Sequence, residues 1–300
     1  MCCHRFVTTK QGNSPLSLAF QATVRNSPIK AAQLGGLFFR EALRPARLPQ
    51  NGFNWEDPWK RRETQDCRQS VLERSDELSR RLCYLATLFA TAMAVAWTID
   101  IPVASYFRLD IHPEFFHKLV SFAEVFGHGL GVAWILLTVY VLDVHQRHRL
   151  PRIVAAIVAA GMSANLAKLT LGRIRPRELA VDRVWDSFAG WFPGFHSEIP
   201  LGLTPHDCQS MPSGHAAVAT ALAIGLSILY PRGRWLFACF AVLASMQRIE
   251  TCAHYLSDTL AGAALACLIW AAFLDRRGLG RLFERWEANR AETTELRQPL

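Results

Sequence analysis

The sequence predicts an all-α membrane protein, a polytopic six-transmembrane-helix bundle behind a basic, disordered N-terminal extension. Three observations lead there. Hydrophobic residues make up 51% of the 300-residue chain and charged residues only 19%, too few polar side chains to cover a soluble globule. The mean hydropathy is positive, at +0.11. The formal charge of +8, from 33 Lys plus Arg against 25 Asp plus Glu, is concentrated in the links between apolar runs. A soluble nucleic-acid binder would explain the charge but not the apolar content, whereas a membrane protein with basic cytoplasmic loops explains both. No nucleic-acid partner is expected. A collagen, a disulfide-rich mini-protein and a wholly disordered chain are excluded by the same composition.

Three apolar runs carry no charge: Leu82 to Ile99, Val125 to Leu142 and Cys208 to Pro231. Each approaches or meets the roughly 20 residues needed to cross a bilayer core. Three shorter runs, Ile153 to Ala167, Trp235 to Gln247 and Thr259 to Leu274, abut Lys168, Arg248 and Asp258. Six spans is the simplest count. Basic residues then fall on one side: Lys60, Arg61, Arg62, Arg80 and Arg81 before the first span, Arg147, Arg149 and Arg152 after the second, Arg232 and Arg234 after the fourth, Arg276 and Arg277 after the sixth. Excess Lys and Arg mark the cytoplasmic side, so both termini are expected inside. The links over 100–124, about 172–211 and about 248–257 lie outside.

Residues 1–59 form a leader-like or disordered extension. Residues 1–40 hold five basic residues and no Asp or Glu, and no compact apolar stretch follows the basic start as a secretory signal requires. A transit-type leader, a disordered extension and upstream sequence translated from a misassigned start all share that composition. Over 60–81, Val71, Leu72, Leu78 and Leu82 recur near helical spacing among charges, the pattern of an interfacial amphipathic helix. The transmembrane domain is expected over 82–275 and a cytoplasmic tail over 276–300. Gly127, Gly129 and Gly131, early in the second span, suit close helix packing.

Ionisable residues at the edge of a span are functional candidates, and three segments supply them on the outer side. In the first, Lys168 and Arg175 stand seven apart, two helical turns on one face, before Pro176. Two fixed cations suit a dianion, and the arginine fork matches phosphate oxygens; the same pair also suits snorkelling at a helix end. In the second, Pro212-Ser213-Gly214-His215 leads into the fourth span, and Ser213 and Gly214 fit a helix N-terminus whose free N–H groups attract an anion. His215 adds a proton donor or acceptor near neutral pH. In the third, Arg248 precedes His254 and Asp258, which would meet four apart on a helix face. A carboxylate there would fix the imidazole tautomer and free the other nitrogen as nucleophile or base. Each segment alone has an unremarkable structural reading; the topology brings all three to one membrane face.

Lys-x6-Arg-Pro, Pro-Ser-Gly-His and Arg-x5-His-x3-Asp, in that order, resemble the type 2 phosphatidic acid phosphatase superfamily of membrane lipid phosphatases and vanadium haloperoxidase-like enzymes. The resemblance covers about residues 82–275. It departs once: Gln247 stands where the third motif usually has Ser, which bears on local hydrogen bonding. The resemblance implies that His254 is the nucleophile of a phosphohistidine intermediate, oriented by Asp258. It implies His215 as acid and then base, with Lys168, Arg175, Ser213, Gly214 and Arg248 holding the phosphate. It implies no metal and no cofactor, and the sequence offers no HExxH, CxxC or acidic cluster. The expected partners are a lipid phosphate substrate and the membrane, and phosphatidic acid, phosphatidylglycerol phosphate, undecaprenyl diphosphate and the lipid A phosphates are not separated. Trp185, Phe188, Trp191, Phe192 and Phe195 crowd the outer loop and suit either a lipid–water interface or a small aromatic core of that loop. A disulfide between Cys208 and Cys252 would tie the second and third motifs together. A lipid phosphotransferase using the same residues is the alternative within catalysis, and a transporter or scaffold with a degenerate pocket the alternative outside it.

Overall fold

The computed structural model of the protein describes residues 58–109, 111–178, 187–192, 203–204 and 206–295. Nearly all of the N-terminal extension, with Trp185 and Phe195 of the aromatic loop, lies outside these residues. The chain divides into two units, Met1–Val71 and Leu72–Leu300. Helix α1 spans Pro58–Ala96. A 3-10 turn at Trp97–Ile99 leads to α2, Asp100–Arg108. Next come α3, Glu114–Ala123, and α4, Gly129–Leu142, followed by α5, Leu150–Thr170. Two short strands, β1 at Leu171–Arg173 and β2 at Phe188–Trp191, pair antiparallel with Gly172 opposite Gly190. Then follow α6, Gly214–Leu229, α7, Arg234–Glu250, α8, Leu256–Leu274, and α9, Gly280–Glu295. Among the described residues the regular structure is helical apart from the β1–β2 ribbon, which the apolar patterning of the sequence did not indicate.

Three helical segments are long and apolar enough to cross a bilayer: Glu73–Arg108, Val144–Thr170 and Leu256–Leu274. A fourth is added if Glu114–Phe126 and Gly129–Leu142, bent by 64°, form one span. The protein is thus a multi-pass membrane protein. The run from Cys208 to Pro231 is apolar throughout, but only Gly214–Leu229 is helical. Pro212 supplies no N–H for a helix interior, and the Ser213 side chain accepts from Ala216 N as an N-cap. The preceding residues are therefore held back as a segment of the site.

The centre is built from α5, α6 and α8. Ala156, Ala160 and Ala164 on α5, Ala217 and Ala221 on α6 and Ala266 on α8 are buried; side chains this small let helix backbones approach closely. Trp270 is fully buried and donates its indole N–H to the Ala221 carbonyl at 2.8 Å. Large apolar side chains such as Leu88, Val95, Trp134, Leu142 and Trp235 instead face outward, as hydrocarbon contact permits. Of the three glycines early in the second span, Gly127 meets α6, with an added Cβ 3.0 Å from the His215 carbonyl, an added Cβ on Gly131 meets the Val125 carbonyl, and Gly129 faces open space.

The closest approach near the site is at Gly262 of α8, where an added Cβ would lie 2.4 Å from the Ser213 carbonyl and 3.1 Å from Ala217 N. These two atoms form the first hydrogen bond of α6. Gly262→Ala must therefore part α8 from the start of α6, and overpacking of this kind costs about 1–3 kcal/mol. Thermal unfolding in detergent should show a clear fall in Tm for Gly262→Ala and none for Gly129→Ala, whose Cβ would meet open space. Equal melting temperatures would refute the contact.

Candidate active site

The site is assembled first by backbone hydrogen bonds among the three motif segments. After α5 ends at Thr170 the chain turns into β1. Arg173 N and Arg175 N donate to the carbonyls of Cys208 and Asp207, and Ser210 N donates to the Arg173 carbonyl. Ile174 N reaches the Ser187 carbonyl, Arg177 N the Cys252 carbonyl, and Ser213 N the Asp258 carbonyl. The first motif is thus fixed to the lead-in of the second and to the turn carrying the third. The reading of Lys168 and Arg175 as two turns of one helix does not hold, because the helix stops between them and Arg175 arrives on extended backbone. Both still line one cavity of about 490 Å³, together with Gly214, His215, Arg248 and His254.

His254 precedes α8 rather than lying on it. α7 ends in an αL turn: Cys252 has φ 51, Ala253 N donates to the Arg248 carbonyl and Cys252 N to that of Ile249, the Schellman pattern. His254 Nδ1 donates to the Ser210 carbonyl at 2.6 Å and stands 3.9 Å from Asp258 Oδ2. The Ser210 backbone therefore makes the close contact that sets the tautomer, leaving Nε2 as the nitrogen with a lone pair. Burial lowers the His254 pKa, which keeps that imidazole neutral. Asp258 Oδ2 accepts from the Ser210 hydroxyl at 2.6 Å and from Tyr255 N at 2.9 Å, so it holds Ser210 and the start of α8.

His215 lies in the first turn of α6, and Arg248 Nη1 donates to its Nε2 at 3.2 Å. Arg248 is placed by Glu124, whose Oε1 is 3.6 Å away. The same carboxylate accepts from Gln247 Nε2 at 3.5 Å, the bond made by the residue that departs from the usual motif. Gly214 brings the start of α6 close to α5, since a Cβ there would stand 3.7 Å from Lys168 Nζ. Ser213 is fully buried and serves as the N-cap. Arg175 Nε donates to the His206 carbonyl at 3.2 Å, and its guanidinium holds the His206 imidazole below the ordinary histidine range.

Several site residues were not found in the sequence. Asn165, Arg177 and His206 also line the cavity. Behind it, Arg173 is wholly buried and bonds Asp258 Oδ1 at 2.5 Å, Asp100 Oδ2 at 2.7 Å, Ser257 Oγ at 2.7 Å and Ser187 Oγ at 3.3 Å. Its guanidinium also lies near the rings of Tyr255, Trp97 and Phe188, at 4.1, 5.2 and 5.7 Å from their centroids. A signal existed: Arg173 interrupts an apolar run two residues before Arg175, and Asp100 is the charge that ends the first run. Of the loop aromatics, Phe188 stacks on Trp97 at 5.3 Å, while Trp191 and Phe192 are exposed. Cys208 and Cys252 are both free thiols, so the disulfide is not formed.

In comparison with known proteins, residues 150–278 match the PAP2 superfamily. The chain is 28% identical over 173 residues to a lipid A 1-phosphatase of Rhizobium etli, covering 56% of this chain and 60% of that protein. It is 30% identical over 188 residues to a lipid A 1-phosphatase of Rhizobium johnstonii, covering 61% of this chain and 64% of that one. The match thus spans less than two thirds of either relative. Among solved structures, the transmembrane PAP2-type phosphatidylglycerolphosphate phosphatase from Bacillus subtilis is similar with a TM-score of 0.42 at 15% identity, over 70% of this chain and 96% of that one.

The buried arginine makes a testable claim. Arg173→Met leaves Asp100 and Asp258 buried without a shared counter-charge, and breaking a buried pair in this way costs about 3–5 kcal/mol. Thermal unfolding in detergent should show that loss, with partial recovery when Asp100→Asn removes one of the stranded charges. An Arg173→Met protein as stable as the parent would show that the network contributes nothing.

Proposed function

We propose that the protein is an integral-membrane phosphatase that hydrolyses a lipid phosphate or diphosphate monoester through a phosphohistidine at His254. The observation that carries this reading is the convergence of His254, His215, Lys168, Arg175 and Arg248 on one cavity within a PAP2 superfamily domain. His254 Nε2 attacks phosphorus in line, and the bond from phosphorus to the lipid oxygen breaks. His215 gives its proton to the departing alkoxide, then takes one from the water that attacks the phosphohistidine, releasing phosphate and restoring His254. Arg248 donates to His215 Nε2. An incoming phosphate dianion draws Arg248 to itself and supplies the negative charge that lets His215 take up a proton.

Lys168, Arg175 and Arg248, with the Ser213 hydroxyl and Gly214 N–H, stabilise the equatorial oxygens. This is the charge a divalent cation supplies in other phosphoryl-transfer sites, so the reaction needs none. Two relatives bear the name lipid A 1-phosphatase, which places a phosphorylated saccharolipid first among substrates to try. The reading also counts six spans, with the segments from α1 and α2, α3 and α4, α5, α6, α7 and α8 each crossing once. The organisation is an extension over 1–59, an interfacial segment over 60–81, the transmembrane domain over 82–275 and a cytoplasmic tail over 276–300. Both termini face the cytoplasm, and the cavity faces the other side of a cell inner membrane, following the bias of Lys and Arg.

Labelling of single cysteines in intact cells should reach a site placed at Ser197 and miss one at His148; labelling at His148 from outside would overturn the orientation. Activity is tested with purified protein, EDTA and a panel of lipid phosphates. Phosphate should be released, and release that strictly requires added Mg²⁺ contradicts the proposal. Transfer to an added lipid acceptor in place of water would make the protein a phosphotransferase, and silence across the panel would favour a binding protein. Within the same assay, His254→Ala should lose turnover by a factor of 10³ or more, roughly, since no phosphoenzyme forms. His215→Ala should still be phosphorylated by nitrophenyl phosphate, whose leaving group departs without a proton, and should accumulate alkali-stable phosphohistidine at residue 254. Label on His215 in the unmodified protein would reverse the two roles.

A further inference from the structure

The sequence offered no metal motif, but the fold brings three donor groups together away from the phosphate cavity. His112 lies just before α3, His117 in the first turn of α3 and Glu250 at the last residue of α7. His112 Nε2 and His117 Nδ1 both converge on Glu250 Oε1, at 3.0 and 2.5 Å. All three donor atoms lie within 4.8 Å of one another. None of these residues lines the cavity that holds His254 and His215.

We infer that His112, His117 and Glu250 form a binding site for a divalent first-row metal ion, zinc by its donor set, which clamps the start of α3 to the end of α7. Two imidazole nitrogens and one carboxylate oxygen are a ligand set that zinc takes, with a fourth position left for water. Tetrahedral bonds of about 2.0–2.1 Å put donor atoms roughly 3.3 Å apart, so the shorter of the two contacts would widen by only about 0.8 Å. The ring of His112 is held edge-on between Phe107 and Phe116, at 5.7 and 5.8 Å, and its side chain is buried together with that of Glu250. His117 is 55% exposed, which gives the ion a path in and room for the water. Hydrogen bonding explains the cluster incompletely: both rings crowd one carboxylate oxygen, while the buried Oε2 of Glu250 has no hydrogen-bond partner among the described residues. An ion between the three groups would use the carboxylate's charge and leave Oε2 as a second ligand atom or an acceptor for the bound water.

The consequence is mechanical. Glu250 stands two residues after Arg248 and at the head of the turn that delivers His254, so fixing it fixes that turn. The site does not rest on the proposed reaction. The test uses full-length protein carrying a tag without histidines, in lipid nanodiscs, stripped with chelator and dialysed against micromolar zinc. Bound zinc should be about one equivalent per chain higher in the parent than in His117→Ala or His112→Ala. X-ray absorption should show nitrogen and oxygen neighbours at about 2.0–2.1 Å. Zinc should raise the Tm of the parent and leave that of His117→Ala unchanged; that half-exposed side chain can be removed without opening the core. Glu250→Gln keeps the shape of the carboxylate but should lose the ion. Equal zinc content in the parent and the histidine variants, or no zinc-dependent change in Tm, would overturn the site. Chelation should lower the Tm of the parent while lipid phosphate hydrolysis continues, so loss of zinc binding and loss of activity remain separate results.

Discussion

The buried ionic cluster of Arg173 with Asp100 and Asp258 is the constraint on which the rest of the site depends. A guanidinium with no exposed surface is tolerated only if its N–H groups are bonded and its charge is balanced. Arg173 meets both conditions through two carboxylates, Ser187 and Ser257, and the surrounding aromatic faces. Satisfying it requires Asp100 from the start of α2, Asp258 from α8 and the ribbon that carries Arg173 itself to arrive at one point. Those elements frame the cavity. The cluster thus orders three parts of the chain that are distant in sequence, and its geometry would be lost with any one of them.

The same cluster explains how His254 can be held without a direct bond to Asp258. Arg173 anchors one carboxylate oxygen, and the other accepts from the Ser210 hydroxyl and Tyr255 N. Ser210 then presents its carbonyl to His254 Nδ1. Orientation passes from guanidinium to carboxylate to serine to imidazole. On the far side of the cavity the pattern is opposite: Lys168, Arg175, Arg177 and Arg248 converge, and among the described residues Glu124, Glu178 and Asp207 are the acidic groups within salt-bridge range of any of them. Positive charge gathered in this way repels itself in a partly desolvated cleft. In the proposed reaction a phosphate dianion would relieve that repulsion.

Much of this was legible in the sequence, because motif spacing and apolar patterning are local. The three charged segments and the residues Lys168, Arg175, His215, Arg248 and His254 were each recognisable, and all five border the cavity. The misses share a cause. Arg175 was placed on a helix because seven residues make two turns, but pairing with Ser187 and with 207–210 takes the chain into extended backbone after Thr170. His254 and Asp258 were placed on one helix face because four residues make one turn, but the helix begins only at Leu256. In both places tertiary hydrogen bonds override local periodicity. Arg173 and Asp100 were passed over because burial of a charge is not a property of its neighbours in sequence. The same holds for His112, His117 and Glu250, whose meeting depends on how α3 packs on α7.

The end of α7 shows why so much function gathers on a few residues. A helix usually leaves through a glycine when the next residue must take a left-handed conformation, yet here Cys252 holds φ 51. The exposure that glycine would add is avoided, since the cysteine side chain is buried and its thiol faces the Ala104 carbonyl at 3.9 Å. A left-handed non-glycine residue costs about 1–2 kcal/mol, and that cost is offset where the surrounding structure fixes the turn. Here Arg177 N is bonded to the Cys252 carbonyl, Glu124 holds Gln247 and Arg248 one turn earlier, and Glu250 is held by two histidines of another element. Each restraint acts on the same short stretch, and each reaches it from a different part of the chain. Arg248 and His254, six residues apart on either side of that turn, are thereby kept in fixed relation to each other. In the proposed reaction a nucleophile must meet a phosphorus atom in line while a guanidinium holds its oxygens, and that relation is the geometric quantity the fold would have to preserve.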